Sequence, residues 1–123
     1  MTLDRISIGI EICAYGALTK SGNKYKAWSG QIIDEADVCV LDKPFRGSKY
    51  YHAYTDAQIE STRCLLLFWA EKYSIPLEYR PEIWDVDTKA LSGEAGVYTH
   101  NSVRKDKADV YPDPRLVDML KNL

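Results

Sequence analysis

One long helix, with both of its ends written in the sequence, constrains this chain more than any other feature. Thr55-Asp56-Ala57-Gln58 offers a Thr N-cap with Gln three residues on, the spacing at which each side chain satisfies the other's backbone N–H. Asp56 in the first turn complements the helix dipole. The helix is expected from about Asp56 to Tyr73 and is closed by Ser74-Ile75-Pro76, because proline disfavours helical geometry in the residue before it. Ile59, Thr62, Arg63, Leu66, Leu67, Ala70 and Tyr73 recur at helical spacing, and Leu65, Phe68 and Trp69 widen the apolar arc. Much of such a helix must be covered by the rest of the protein. A chain of 123 residues has room for one core around it, since domains run to roughly 100–200 residues, so 1–123 reads as a single domain.

Strand signals flank this helix. Ile6, Ile8, Ile10 and Ile12 alternate with Ser7, Gly9, Glu11 and Cys13, a period of two that predicts a strand with its isoleucines on the core. Glu11 then faces the other way, toward solvent, a salt bridge or a site, since an unpaired buried carboxylate is costly. Tyr15 to Gly30 reads as an exposed excursion with a turn at Ser21-Gly22-Asn23 and Trp28 anchoring its far side. Val38-Cys39-Val40-Leu41 predicts a buried strand that ends in a loop running from Asp42 through Tyr54. Leu77 to Gly96 reads as a long loop with one helical turn, anchored by Trp84. Val97-Tyr98-Thr99-His100 predicts a short strand delivering a histidine at its end. Asp113-Pro114 then opens a terminal helix carrying Leu116, Val117, Met119 and Leu120. The fold class expected is α/β, a mixed β-sheet with flanking helices, the long helix on one face.

Charge narrows the partners. Sixteen Lys and Arg against eighteen Asp and Glu give a formal net charge of −2, too little positive field for generic nucleic-acid binding. The longest apolar run, Cys64 to Ala70, is far short of the roughly 18 residues of a membrane span. Met1-Thr2-Leu3-Asp4-Arg5 lacks the stages of a secretory signal, so synthesis in a cytosol is expected. Cys13, Cys39 and Cys64 form no CxxC pair and point to a reduced compartment without a disulfide. Cys39 and Cys64 are expected buried and inert, with Cys13 sharing the Glu11 face.

Chemistry concentrates between His100 and Pro114. A His at a strand end, followed after a loop by Asp109 next to a Pro-rich turn, can set an imidazole nitrogen and a carboxylate oxygen on one cation, both good zinc donors. Two ligands alone do not make a zinc site, and Arg104, Lys105, Asp106, Lys107 and Asp109 suit a solvated charged loop equally well.

Taken in order, Ser7-Ile8-Gly9-Ile10-Glu11-Ile12, then Tyr54-Thr55-Asp56-Ala57-Gln58 opening a helix that ends at Tyr73-Ser74-Ile75-Pro76, then His100 with Lys107 and Asp109, resembles the zinc-dependent N-acetylmuramoyl-L-alanine amidases. That type 2 amidase family shares its fold with peptidoglycan recognition proteins and phage lysozymes of the amidase type, and the resemblance covers nearly the whole chain. It implies that His100 is the second zinc-binding His and Asp109 the third ligand, where relatives carry Asp or Cys. Lys107 would steady the oxyanion and Glu11 would activate the zinc-bound water. The implied cofactor is Zn²⁺, the substrate peptidoglycan or a muramyl-peptide, and the bond the amide between the lactyl group of N-acetylmuramic acid and L-alanine, cleaved at the bacterial cell wall after release.

One element of that pattern is missing. The family's first zinc-binding His lies on a strand upstream of the Ser-Ile-Gly-Ile-Glu segment, and Met1 to Ile6 contains no histidine. The chain's other histidine, His52, sits in an aromatic loop and matches no ligand position, so a packing or surface role is expected for it. The resemblance therefore implies the C-terminal part of a longer or split amidase, or a non-catalytic peptidoglycan-binding or partner-binding module. A missing strand also implies self-association or a complementing chain that supplies it.

Overall fold

The capping box forms as the sequence requires. The computed structural model describes residues 6–123, and in it α1 spans Asp56–Tyr73. Thr55 Oγ1 accepts from the Gln58 backbone N–H at 3.0 Å, and Gln58 Oε1 accepts from the Thr55 N–H at 2.9 Å. Ser74 ends the helix in the left-handed region at φ 55°. Its coverage is narrower than expected: Ile59 and Thr62 are buried and Leu66 packs on the core, whereas Leu65, Leu67, Phe68 and Tyr73 are exposed. The helix it packs on most among the described residues is α3 (Pro114–Lys121), which leaves the remaining faces of α1 to solvent.

Strands and helices are both present, as expected of an α/β chain, and every described strand pairing is antiparallel. β1 (Thr19–Ser21), β2 (Lys24–Lys26) and β3 (Ile32–Ile33) form a small sheet over a core of Leu18, Tyr25, Ala27 and Ile33. The expected turn is there, with Gly22 at φ 62° between Ser21 and its partner Lys24. β4 (Val38–Phe45) and β5 (Ser48–His52) form a hairpin. Its turn residues Arg46 and Gly47 both have positive φ, 50° and 84°, the twist a tight two-residue hairpin demands. Ala17 bridges to Tyr51 and joins the two sheets along β5.

Several expectations are corrected here. Residues 7–16 have no regular secondary structure, so the strand over Ile6–Ile12 does not form. An alternating pattern holds a strand only when a neighbour takes its backbone hydrogen bonds, and no described strand pairs with this segment. Ile6 and Ile8 are each 47% exposed, while Ile12 packs against the core. Val38–Leu41 continues to Phe45 and Tyr50–His52 is strand rather than loop; Pro44 is tolerated because β4's outer edge has no described partner. Trp28 anchors nothing and stands 86% exposed. Cys64 is exposed and Cys39 half-buried, against the expectation of two buried thiols.

The stretch from 77 to 96 holds a 3-10 turn at Pro81–Trp84 and α2 (Thr88–Leu91). Trp84 does anchor it, packing on the core and donating from Nε1 to the Tyr79 hydroxyl at 2.8 Å. The expected Val97–His100 strand is absent, and His100 instead opens a 3-10 turn, His100–Ser102. α3 begins as expected, with the Asp113 carboxylate accepting from the Arg115 N–H and Pro114 in the first turn. Among the described residues no helix is long and apolar enough to cross a membrane.

Candidate functional site

The site residues hang on a loop, His100 to Asp113, that is fastened at its start, at its end, across its middle and from the β4–β5 hairpin. At its start, the Ser102 hydroxyl donates to Ile83 O at 2.6 Å while accepting from the Thr99 N–H at 3.0 Å. The Asp87 N–H donates to Ser102 O at 2.9 Å. Asp87 is itself buried and paired with Arg80 at 2.7 Å, and that guanidinium holds its carboxyl below the ordinary range.

At the loop's end, Tyr111 is sandwiched between Tyr51 and Tyr54, with ring centroids 4.3 and 4.8 Å apart. Its hydroxyl donates to His52 O at 2.8 Å. Burial pushes the Tyr54 and Tyr111 phenols well above their usual range, and the charges of Asp109 and Asp113 add to the rise at Tyr54.

The third fastening crosses the loop. Asn101 is fully buried, and its Nδ2 donates to Val110 O at 2.7 Å. The residue after His100 is thereby bonded to the residue after Asp109. From the far hairpin Arg46 reaches the same loop, donating to Lys105 O, to Asn101 O at 3.4 Å and to Asp85 Oδ1 at 3.0 Å.

The consequence is a close pair: His100 Nδ1 lies 3.0 Å from Asp109 Oδ2, with the imidazole 40% and the carboxylate 71% exposed. Lys107 is half-buried two residues away and makes no hydrogen bond or ion pair among the described residues. Arg104 and Asp106 neutralise each other at 2.6 Å, and the guanidinium holds the Asp106 carboxyl low. Glu11 is exposed and no hydrogen bond or ion pair joins it to the His100–Asp109 pair; it sits on the segment that Gln58 Nε2 ties to α1 through Cys13 O at 2.7 Å. His52 has the expected packing role, with its Nδ1 accepting from the Tyr15 N–H at 3.0 Å.

A zinc ion with bonds of roughly 2.0–2.1 Å sets neighbouring tetrahedral donors about 3.3 Å apart. The His100–Asp109 separation fits one such edge, and both donors are of the right type. Among the described residues no third His, Cys, Asp or Glu joins them.

Two residues that shape the site, Arg46 and Asn101, are not singled out by the sequence. Arg46 lay in what read as a loop, and the Phe45-Arg46-Gly47-Ser48 turn was the signal for a hairpin that aims it. Asn101 was visible only as the neighbour of His100. The chain matches no protein-family model, no curated protein and no solved structure.

Proposed function

We propose that this chain carries part of the active site of a zinc-dependent N-acetylmuramoyl-L-alanine amidase with the amidase-like α/β fold. The observation that carries the reading is the 3.0 Å approach of His100 Nδ1 to Asp109 Oδ2, because the two residues singled out as ligands converge although nine positions separate them. Bound zinc would acidify a water and polarise the scissile carbonyl. Within this reading the chain's own groups divide the work. His100 and Asp109 would hold the metal. The Lys107 ammonium, unpaired among the described residues, offsets charge growing on the attacked oxygen. The exposed Glu11 carboxylate is the group this reading assigns to take the proton.

A second reading, a non-catalytic module that binds peptidoglycan or a partner chain, is favoured by the count of donors: two among the described residues, where catalytic zinc sites use three protein ligands. A complementing chain reconciles both, since Ile6, Ile8, Leu65 and Phe68 leave apolar surface uncovered and the third donor unassigned. Zinc titration followed by hydrolysis of N-acetylmuramoyl-L-alanyl peptide separates the readings. Weak zinc binding lost in His100→Ala and Asp109→Ala, with slow zinc-dependent release of the peptide amine, supports the amidase. Peptidoglycan binding without any turnover supports the module, and indifference to zinc overturns the metal site.

A further inference from the structure

Trp28 is 86% exposed, while the residues just before it, Tyr25 and Ala27, are buried. An indole is the largest apolar side chain, and nothing in the small core beneath the sheet uses it. The turn that carries it is fixed: the Ala27 N–H donates to Gln31 O and the Gly30 N–H to Ala27 O, each at 2.9 Å, with Gly30 at φ 89°. The backbone that carries the exposed ring is thus bonded on both sides of it.

Register defines the surface beside it. β2 buries Tyr25 and exposes Lys24 and Lys26 on the opposite face. Lys26 lies between Thr19 on β1 and Ile32 on β3, and Lys24 opposite Ser21. Ile32 is 46% exposed. The outer face therefore presents two amines, two hydroxyls and an isoleucine, and Trp28 follows two residues after the end of β2. No Asp or Glu occurs between Ile12 and Ile33, and neither Lys24 nor Lys26 makes an ion pair among the described residues. Asp34, next after β3, turns its carboxylate to the Ala36 N–H at 3.0 Å. Lys20 is on the other face, over the Tyr25 and Tyr50 rings.

We infer that this face is a docking surface for peptidoglycan, with its neutral sugar strand on Trp28 and its acidic peptide branches on the lysines, separate from the His100–Asp109 pair; the inference rests on the wall-hydrolase reading for the identity of the polymer. The flat C–H face of a pyranose stacks on the indole, the hydroxyls bond to the sugar, and the Lys24 and Lys26 ammonium groups meet the carboxylates of the peptide branches. Charge complementarity selects this occupant, with several carboxylates on each peptide branch, over a second copy of the chain, whose net charge is only −2. A nucleic acid needs a broader basic field than two lysines.

The test is co-sedimentation of the full chain with purified sacculi stripped of other polymers. Trp28→Ala should lower the bound fraction about fivefold, Trp28→Phe should restore most of it, and Lys24→Glu with Lys26→Glu should lower it in a salt-dependent way. An unchanged thermal midpoint for Trp28→Ala shows that the fold is intact. Lys43→Glu, at an exposed lysine on β4 away from this face, should bind sacculi like the parent. Equal binding by Trp28→Ala and the parent overturns the docking surface and leaves the amidase reading to zinc and turnover. Loss in His100→Ala alone assigns binding to the other site. No sedimentation of the parent overturns the inference, as does concentration-dependent self-association that Trp28→Ala abolishes.

Discussion

His100 Nδ1 and Asp109 Oδ2 face each other at 3.0 Å, and the buried Asn101 and the Val110 carbonyl behind them are bonded at 2.7 Å. The front pair is exposed and the back pair is not, so the separation of the donors is fixed from inside the protein. Asp109→Ala should weaken zinc binding by at least about tenfold. Asp109→Cys should keep it or tighten it, since a thiolate is also a good zinc ligand. Isothermal titration with Zn²⁺ reads both, and equal affinities for Asp109→Ala and the parent would remove Asp109 from the ligand set.

Arg46 offers a second handle. Its guanidinium spans Asp85, Asn101 O and Lys105 O, so one side chain from the hairpin turn holds the middle of the site loop. Arg46→Ala should speed amide exchange at 100–106 by about tenfold or more, with α1 unchanged, because only local opening becomes easier. Equal protection in the variant would show that Asn101 and Ser102 suffice.

How much of this was legible depended on whether a signal was local. The capping box at Thr55 and Gln58 and the Asp113-Pro114 start of α3 are decided within a few residues, and both formed as read. The Ile6–Ile12 pattern needed a neighbouring strand, which no local pattern guarantees, and it did not form. Val97–His100 failed for a related reason: Thr99 and Ser102 bond to one another and to Ile83 O, and these side-chain bonds replace a ladder. The convergence of His100 and Asp109 was anticipated, but the Arg46 and Asn101 bonds that enforce it join residues remote in sequence.

The thiols give a direct check on the corrected burial. Cys13 and Cys64 are exposed, whereas burial, with help from the charge of Asp113, raises the Cys39 thiol. Labelling with a maleimide near neutral pH should modify two thiols quickly and the third at least about tenfold more slowly. Slow labelling of Cys64 would mean that this side of α1 is covered in solution.

Acid stability should report the Arg80–Asp87 pair. Hydrogen bonding from Arg80 holds the buried Asp87 carboxyl below its unfolded value of about 3.9, so its contribution is present above that pH and lost as pH falls through the lower folded value. Arg80→Met should move the onset of acid unfolding upward by about one pH unit. An unchanged onset would show that the Lys89 backbone N–H, which also reaches Asp87 at 3.1 Å, holds the charge alone.

The alkaline limb has the opposite sign and a different cause. Tyr51, Tyr54 and Tyr111 are buried, and burial is the largest reason that each phenol is raised above its ordinary value. In the folded chain they stay neutral where the unfolded chain, with phenols near pH 10, begins to ionise. Their stabilisation is therefore complete below about pH 10 and declines as pH rises above it, by up to about 1.4 kcal/mol per pH unit for each tyrosine held neutral. Tyr111→Phe separates this from general alkaline damage. At neutral pH it should cost about 1 kcal/mol, the value of the hydroxyl's bond to His52 O, while the ring stack on Tyr51 and Tyr54 is kept. Above pH 10 the same variant should lose stability more slowly than the parent, because one ionising group has gone, so the two urea midpoints should converge with rising pH. Parallel declines would place the alkaline transition elsewhere than in the tyrosine stack.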